Sequence, residues 1–143
     1  MNTKNKTAKT KMTMGASISA SSLLDWVDER SDEYERNVYE LNSYMKSLKA
    51  EFYGQYDFNC HDHDWAVKEI ANVFDDFRSL CDDYYRLEFE VADISFNFET
   101  SRDSEDRIDM AIHAMQVCSK MHGIIDELTN LKTTADVYCQ ALL

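Results

Sequence analysis

The sequence predicts an all-α protein: an antiparallel three-helix bundle, coiled-coil-like and up-down-up. Three observations carry that expectation. Apolar residues recur in alternating steps of three and four through most of the chain, the spacing of one helical stripe and of no strand face. Proline is absent and glycine occurs only three times in 143 residues, too little turn chemistry for many short strands. Polar stretches at residues 55–63 and 99–106 divide the periodicity into three lengths of about 35 residues, about 50 Å each at the helical rise. A helix with one apolar stripe needs neighbours, and three of matched length with short connections stack side by side in alternating direction.

Residues 1–20 read MNTKNKTAKTKMTMGASISA. They are rich in Lys, Thr and Ser, lack a periodic face, and are expected to form a flexible basic tail. They also lack the apolar core of a secretory signal. Residues 21–143 are expected to form one domain.

Helix one is predicted over about 22–53, with a seam of Leu24, Val27, Ser31, Tyr34, Val38, Leu41, Met45, Leu48 and Phe52. Ser22 and Asp25 have the spacing of a capping box, and Gly54 can end the helix in the left-handed conformation. Helix two is predicted over about 64–98, with Asp62 or Asp64 as its cap. Its seam is Ile70, Val73, Phe77, Leu80, Tyr84, Leu87, Val91, Ile94 and Phe98. Helix three follows the cap-rich stretch 99–106 over about 104–142. Its seam is Met110, Ala114, Val117, Met121, Ile124, Leu128, Leu131, Ala135, Tyr138 and Leu142. In outline this layout is similar to a spectrin-type repeat, although no sequence motif accompanies the likeness.

Charge is divided unevenly. The net charge is −12. Residues 1–24 carry four lysines and no acid, leaving 11 basic against 27 acidic residues in the rest. Such a body repels nucleic acid and anionic lipid and favours basic partners. Direct nucleic-acid binding is therefore not expected. No apolar run approaches a membrane span. Four cysteines, Cys60, Cys81, Cys118 and Cys139, show no CxxC pairing or dense framework. A reducing cytoplasm is the expected location, with Cys81 and Cys118 acting as small hydrophobes on or beside the stripes.

Apolar residues remain after one seam per helix is assigned. On helix two these are Tyr85, Phe89, Ala92 and Phe96; on helix three, Ile108, Ile112, Met115, Cys118 and Ile125. Up-down-up threading brings the end of helix two beside the start of helix three, and Trp26 on helix one belongs to the same end. Trp26, Tyr85, Phe89, Phe96, Ile108, Ile112 and Met115 are therefore the candidate partner or dimer interface, since aromatic and Met-rich apolar surface typifies interface centres. A homodimer is the expected form of self-association.

Candidate chemistry is sparse. Cys60-His61-Asp62-His63-Asp64 groups metal-capable side chains, and the antiparallel layout brings Cys139 to the same end. Cys60, His61, His63 and Cys139 are thus the conceivable zinc ligands, although they match no established ligand spacing. No cofactor is expected. His113 and His122 lie on helix three, His122 bordering the surplus apolar face. No nucleophile elbow, HExxH or phosphate loop occurs, so an enzyme is not expected. Carboxylates stud two helices, notably Asp25, Asp28, Glu29, Asp32, Asp75, Asp76, Asp82 and Asp83. The expected function is a non-enzymatic, acidic, helical protein-binding module, an adaptor, chaperone or inhibitor acting through the apolar face of helices two and three. The alternative is a nucleic-acid mimic whose carboxylates occupy a basic nucleic-acid-binding site on another protein. Third comes a metal-binding protein using the Cys60–Asp64 loop.

Overall fold

The computed structural model describes the backbone from Asn2 to Leu143 and the side chains from Ser19 onward. Three helices make up the fold: α1 (Asn2–Gln55), α2 (Asp64–Thr100) and α3 (Ser104–Leu142). No strand occurs among the described residues. The helices pack on one another as an all-α three-helix bundle. Every residue of the three seams is buried or half-buried, and none faces open solvent. The alternation of three and four therefore identified the interior, because an apolar stripe is stable only when removed from water.

The bundle has two compact units, each drawing one stretch from every helix. One unit comprises Met1–Glu33 and Arg86–Met121; the other comprises Tyr34–Tyr85 and His122–Leu143. In the first, the early part of α1 meets the late part of α2 and the early part of α3. That pairing requires α2 to run against both neighbours. The core of this unit contains Leu24, Val27, Val91, Ile94, Phe98, Ala114, Val117 and Met121. The second unit buries Val38, Met45, Phe52, Ile70, Phe77, Tyr84, Leu128, Ala135 and Cys139. Helix direction follows from the same argument in both.

The helix ends refine the expectations. α1 is continuous through Ser21 and Ser22, and Ala20 is buried, so Ser22 does not begin the helix. No glycine or proline lies between residues 16 and 53, and Ser22 has no local reason to interrupt the backbone ladder. The flexible segment expected over residues 1–20 lies, apart from its last two residues, outside the described side chains.

At the other end of α1, Gly54 is helical, and no described residue has a positive φ. The left-handed cap expected there does not form. Instead the Tyr56 amide donates to the Phe52 carbonyl at 2.9 Å, extending the ladder past the glycine. The chain turns where aromatic packing pulls it back. Tyr56 stacks on Phe52 with ring centroids 5.2 Å apart, and Phe58 stacks on Tyr53 at 5.8 Å. A Cβ at Gly54 would meet nothing within 4 Å. Gly54→Ala is thus expected to stabilise the protein by about 0.5–1 kcal/mol, because it restricts the unfolded chain without native strain. Urea denaturation measures this, and a lower midpoint would contradict it.

The α1–α2 loop is held locally. The Asn59 amide donates to Asp57 Oδ1 at 3.0 Å, and the Cys60 amide to the Asp57 carbonyl at 3.1 Å. α2 begins on the His63 carbonyl, which accepts from the Ala66 and Val67 amides. Asp62 accepts instead from the Cys60 thiol, while Asp64 supplies negative charge in the first turn. Asp103 caps α3: its Oδ1 accepts from the Glu105 amide at 2.9 Å and its carbonyl from the Arg107 amide at 3.0 Å. No described helix is long and apolar enough to cross a membrane.

Candidate protein-binding surface

Of the surplus apolar residues, Cys118 in the first unit and Ile125 in the second are buried in the core rather than at the surface; the exposed ones lie mainly in the first unit, on the outer sides of its helices. α2 turns about 100° per residue, so Phe89 and Phe96 stand about 160° and 140° round from the buried Val91. They are 75% and 67% exposed, against 50% for Ile112, 40% for Trp26 and 37% for Tyr85. Ile108 and Met115 are half-buried. Tyr85 belongs to the second unit, where it meets the Tyr84 ring edge-on at 5.4 Å.

Cross-helix contacts fix which way each remaining side chain points. Ser95 donates to Asp28 Oδ1 at 2.9 Å, placing α1 on one shoulder of α2. His113 Nε2 meets Glu90 Oε1 at 2.9 Å, placing α3 on the other shoulder. Phe89 and Phe96 lie between those shoulders on the outside, away from both neighbours. Ile112 occupies the equivalent outer position on α3, about 160° from the buried Ala114. Trp26 is sheltered on its own helix by the Arg30 guanidinium, 5.3 Å from the ring centre. The most exposed pair of the surplus residues, Phe89 and Phe96, belongs to α2 alone.

The acidic residues singled out from the sequence, Asp25, Asp28, Glu29, Asp32, Asp75, Asp76, Asp82 and Asp83, are all exposed. Burial raises the pKa of Asp28, the Ser95 hydroxyl acts against that shift, and the acids Asp25, Asp32 and Glu99 add to it. Folding thus favours protonation of Asp28, so its ionisation weakens the fold as pH rises above the usual carboxylate range.

In the second unit the loop candidates do not converge into a metal centre. Among the described residues no group of three His, Cys, Asp or Glu side chains is placed to hold a metal ion. His61 Nδ1 pairs with Asp64 at 3.1 Å, and Cys60 with Asp62 at 3.6 Å. None of the four cysteines forms a disulfide. Burial first, then Asp136 and Glu51, pushes the Cys139 thiol up to about 11; burial and Asp82 do the same for Cys81 against the opposing charge of Lys46. Native protein at neutral pH is expected to leave Cys81 and Cys139 unmodified by iodoacetamide, with labelling appearing only on unfolding. Mass spectrometry of the labelled peptides checks this, and modification of either in the folded protein contradicts it. Their protonated state also adds stability that is present below the unfolded thiol pKa and fades as pH rises towards about 11.

Several contacts had no signal in the sequence. Tyr34 and His122 join α1 to α3, with ring centroids 5.8 Å apart and hydroxyl to Nδ1 at 3.3 Å. His122 also lies 3.6 Å from Asp126. The Tyr44 hydroxyl donates to Asp136, and Lys132 lies 4.4 Å from the Tyr44 ring centre. Two open clefts occur in this unit. One, of about 490 Å³, has Leu80 and Leu131 with Asp76 and Glu127 among its lining residues. The other, of about 380 Å³, includes Leu41, Tyr44, Ile125 and Lys132. Comparison with family models, with curated proteins and with solved structures gives no match.

Proposed function

We propose that the protein is a non-enzymatic binding module that engages another protein through the outer apolar face of its first unit. The carrying observation is the pair Phe89 and Phe96, both strongly exposed on the side of α2 opposite its core seam. Two large aromatic rings held in water on a rigid helix cost hydrophobic free energy that a partner would recover. The surrounding surface is acidic, so a basic partner would be drawn in by long-range attraction and anchored by the aromatics. An adaptor, chaperone or inhibitor working in the cytoplasm fits these properties, and self-association as a homodimer is compatible with them.

Phe89→Asp combined with Phe96→Asp is the test. Circular dichroism is expected to show unchanged helicity, while partner capture or self-association is lost. Undiminished binding by the double variant would contradict the reading. A second reading, a nucleic-acid mimic, is favoured by the exposure of all eight carboxylates named above. Salt separates the two. Binding through carboxylates alone would weaken steeply as salt rises, compete with DNA or RNA, and survive the double substitution.

A further inference from the structure

We infer that the cleft between α2 and α3 in the second unit takes an arginine side chain of a basic partner protein, held between Asp76 and Glu127. The contact uses different residues from the Phe89 and Phe96 face and does not depend on it.

The register of the two helices sets these carboxylates opposite one another. Trp65 on α2 meets Tyr138 on α3 with ring centroids 6.5 Å apart. Asp76 stands eleven residues further along α2, and Glu127 eleven residues back along α3. Eleven residues complete about three turns, to within about 20° of the starting face, so the two acids are level on facing antiparallel helices. Both line the cleft of about 490 Å³. Like charges set at one level of a groove repel. No Lys, Arg or His stands three or four residues from either acid along its own helix to offset that repulsion.

The rest of the lining suits a cation on an alkyl stem. Leu80 and Leu131 are half-buried at the cleft and leave apolar surface for the stem. Thr134 donates its hydroxyl proton to the Asn130 carbonyl at 3.0 Å, so towards an occupant it acts as an acceptor.

The second unit contains its own precedent. The cleft of about 380 Å³ between α1 and α3 also combines a leucine, Leu41, with an acid, Glu40. There the chain supplies the cation itself, Lys132, 4.4 Å from the Tyr44 ring centre. Among the described residues lining the α2–α3 cleft there is no cation. Arginine fits this cleft better than lysine, because a planar guanidinium donates in several fixed directions and reaches two facing carboxylates at once. The net charge of −12 draws a basic partner towards the site.

Nuclear magnetic resonance titration of the full chain with N-acetyl-arginine methylamide tests the inference, with the equally capped citrulline as uncharged isostere. Capped arginine is expected to shift the amide signals of residues 76–80 and 127–134 at millimolar concentration, less so as salt rises. Capped citrulline should bind about tenfold more weakly, as should capped arginine to protein carrying Asp76→Asn with Glu127→Gln. Removing two charges from the first unit, by Glu105→Gln with Asp109→Asn, should leave the response unchanged. Free arginine, whose own carboxylate the two acids repel, should bind more weakly than the capped form; the reverse order overturns a protein partner. Shifts scattered over the acidic surface overturn the inference, as do equal responses to arginine and citrulline, an indifferent Asp76→Asn, Glu127→Gln protein, or no response at all. Phe89 and Phe96 take no part in this titration, so the cleft and the α2 face stand or fall separately.

Discussion

Phe52→Ala is expected to remove about 3–5 kcal/mol of folding free energy, the range for deleting a buried aromatic ring. Phe52 is fully buried, and its ring contacts those of Tyr53, Tyr56 and Phe58. The substitution opens a cavity, and it also removes the surface on which the α1–α2 turn is built. Total stability of a domain this size is about 5–15 kcal/mol, so the variant should lie near the threshold of folding at physiological temperature. A urea titration reads the effect as a lower midpoint with an unchanged slope. Phe58→Ala, at an exposed ring of the same cluster, serves as the control and should cost much less. Comparable losses for the two would mean that Phe52 owes nothing to its burial.

Overfilling the core should do comparable damage. Ala111, Ala114 and Ala135 line the buried side of α3, and Ala114 has no exposed surface. Ala114→Leu adds three carbons where packing leaves no room, and it is expected to cost about 1–3 kcal/mol through displaced side chains and backbone. The same substitution at exposed Ala92 should be close to neutral for folding. Thermal melts of the two variants provide the comparison, and an unchanged melting temperature for Ala114→Leu would show that the helices have slack at this level.

The interior was legible because it depends on a local rule. The seams of α2 and α3 are buried or half-buried throughout, while Phe74, Ala111, Cys118, Ile125 and Cys139, which those seams omit, are buried beside them; the cap-rich stretch 99–106 supplies the cap at Asp103. The exposure of Phe89, Phe96 and Ile112 was legible by the same arithmetic, since a residue about 160° from a buried one faces outward. Gly54 was misread because glycine permits a left-handed turn without requiring one; the aromatic packing of Phe52, Tyr56 and Phe58 ended α1 a residue later. The Asp28–Ser95, Glu90–His113 and Tyr44–Asp136 contacts had no local signature. Each depends on how far one helix is slid along another, and residues as far apart as Asp28 and Ser95, 67 positions, reveal that offset only after packing.

Each unit takes a segment from the beginning, middle and end regions of the chain. While the polypeptide is still emerging from a ribosome, neither can be completed before α3 has been made, so nascent α1 and α2 must wait with their seams uncovered. Truncation within α3 should likewise deprive the second unit of its third wall, leaving a species dependent on chaperones or prone to clumping.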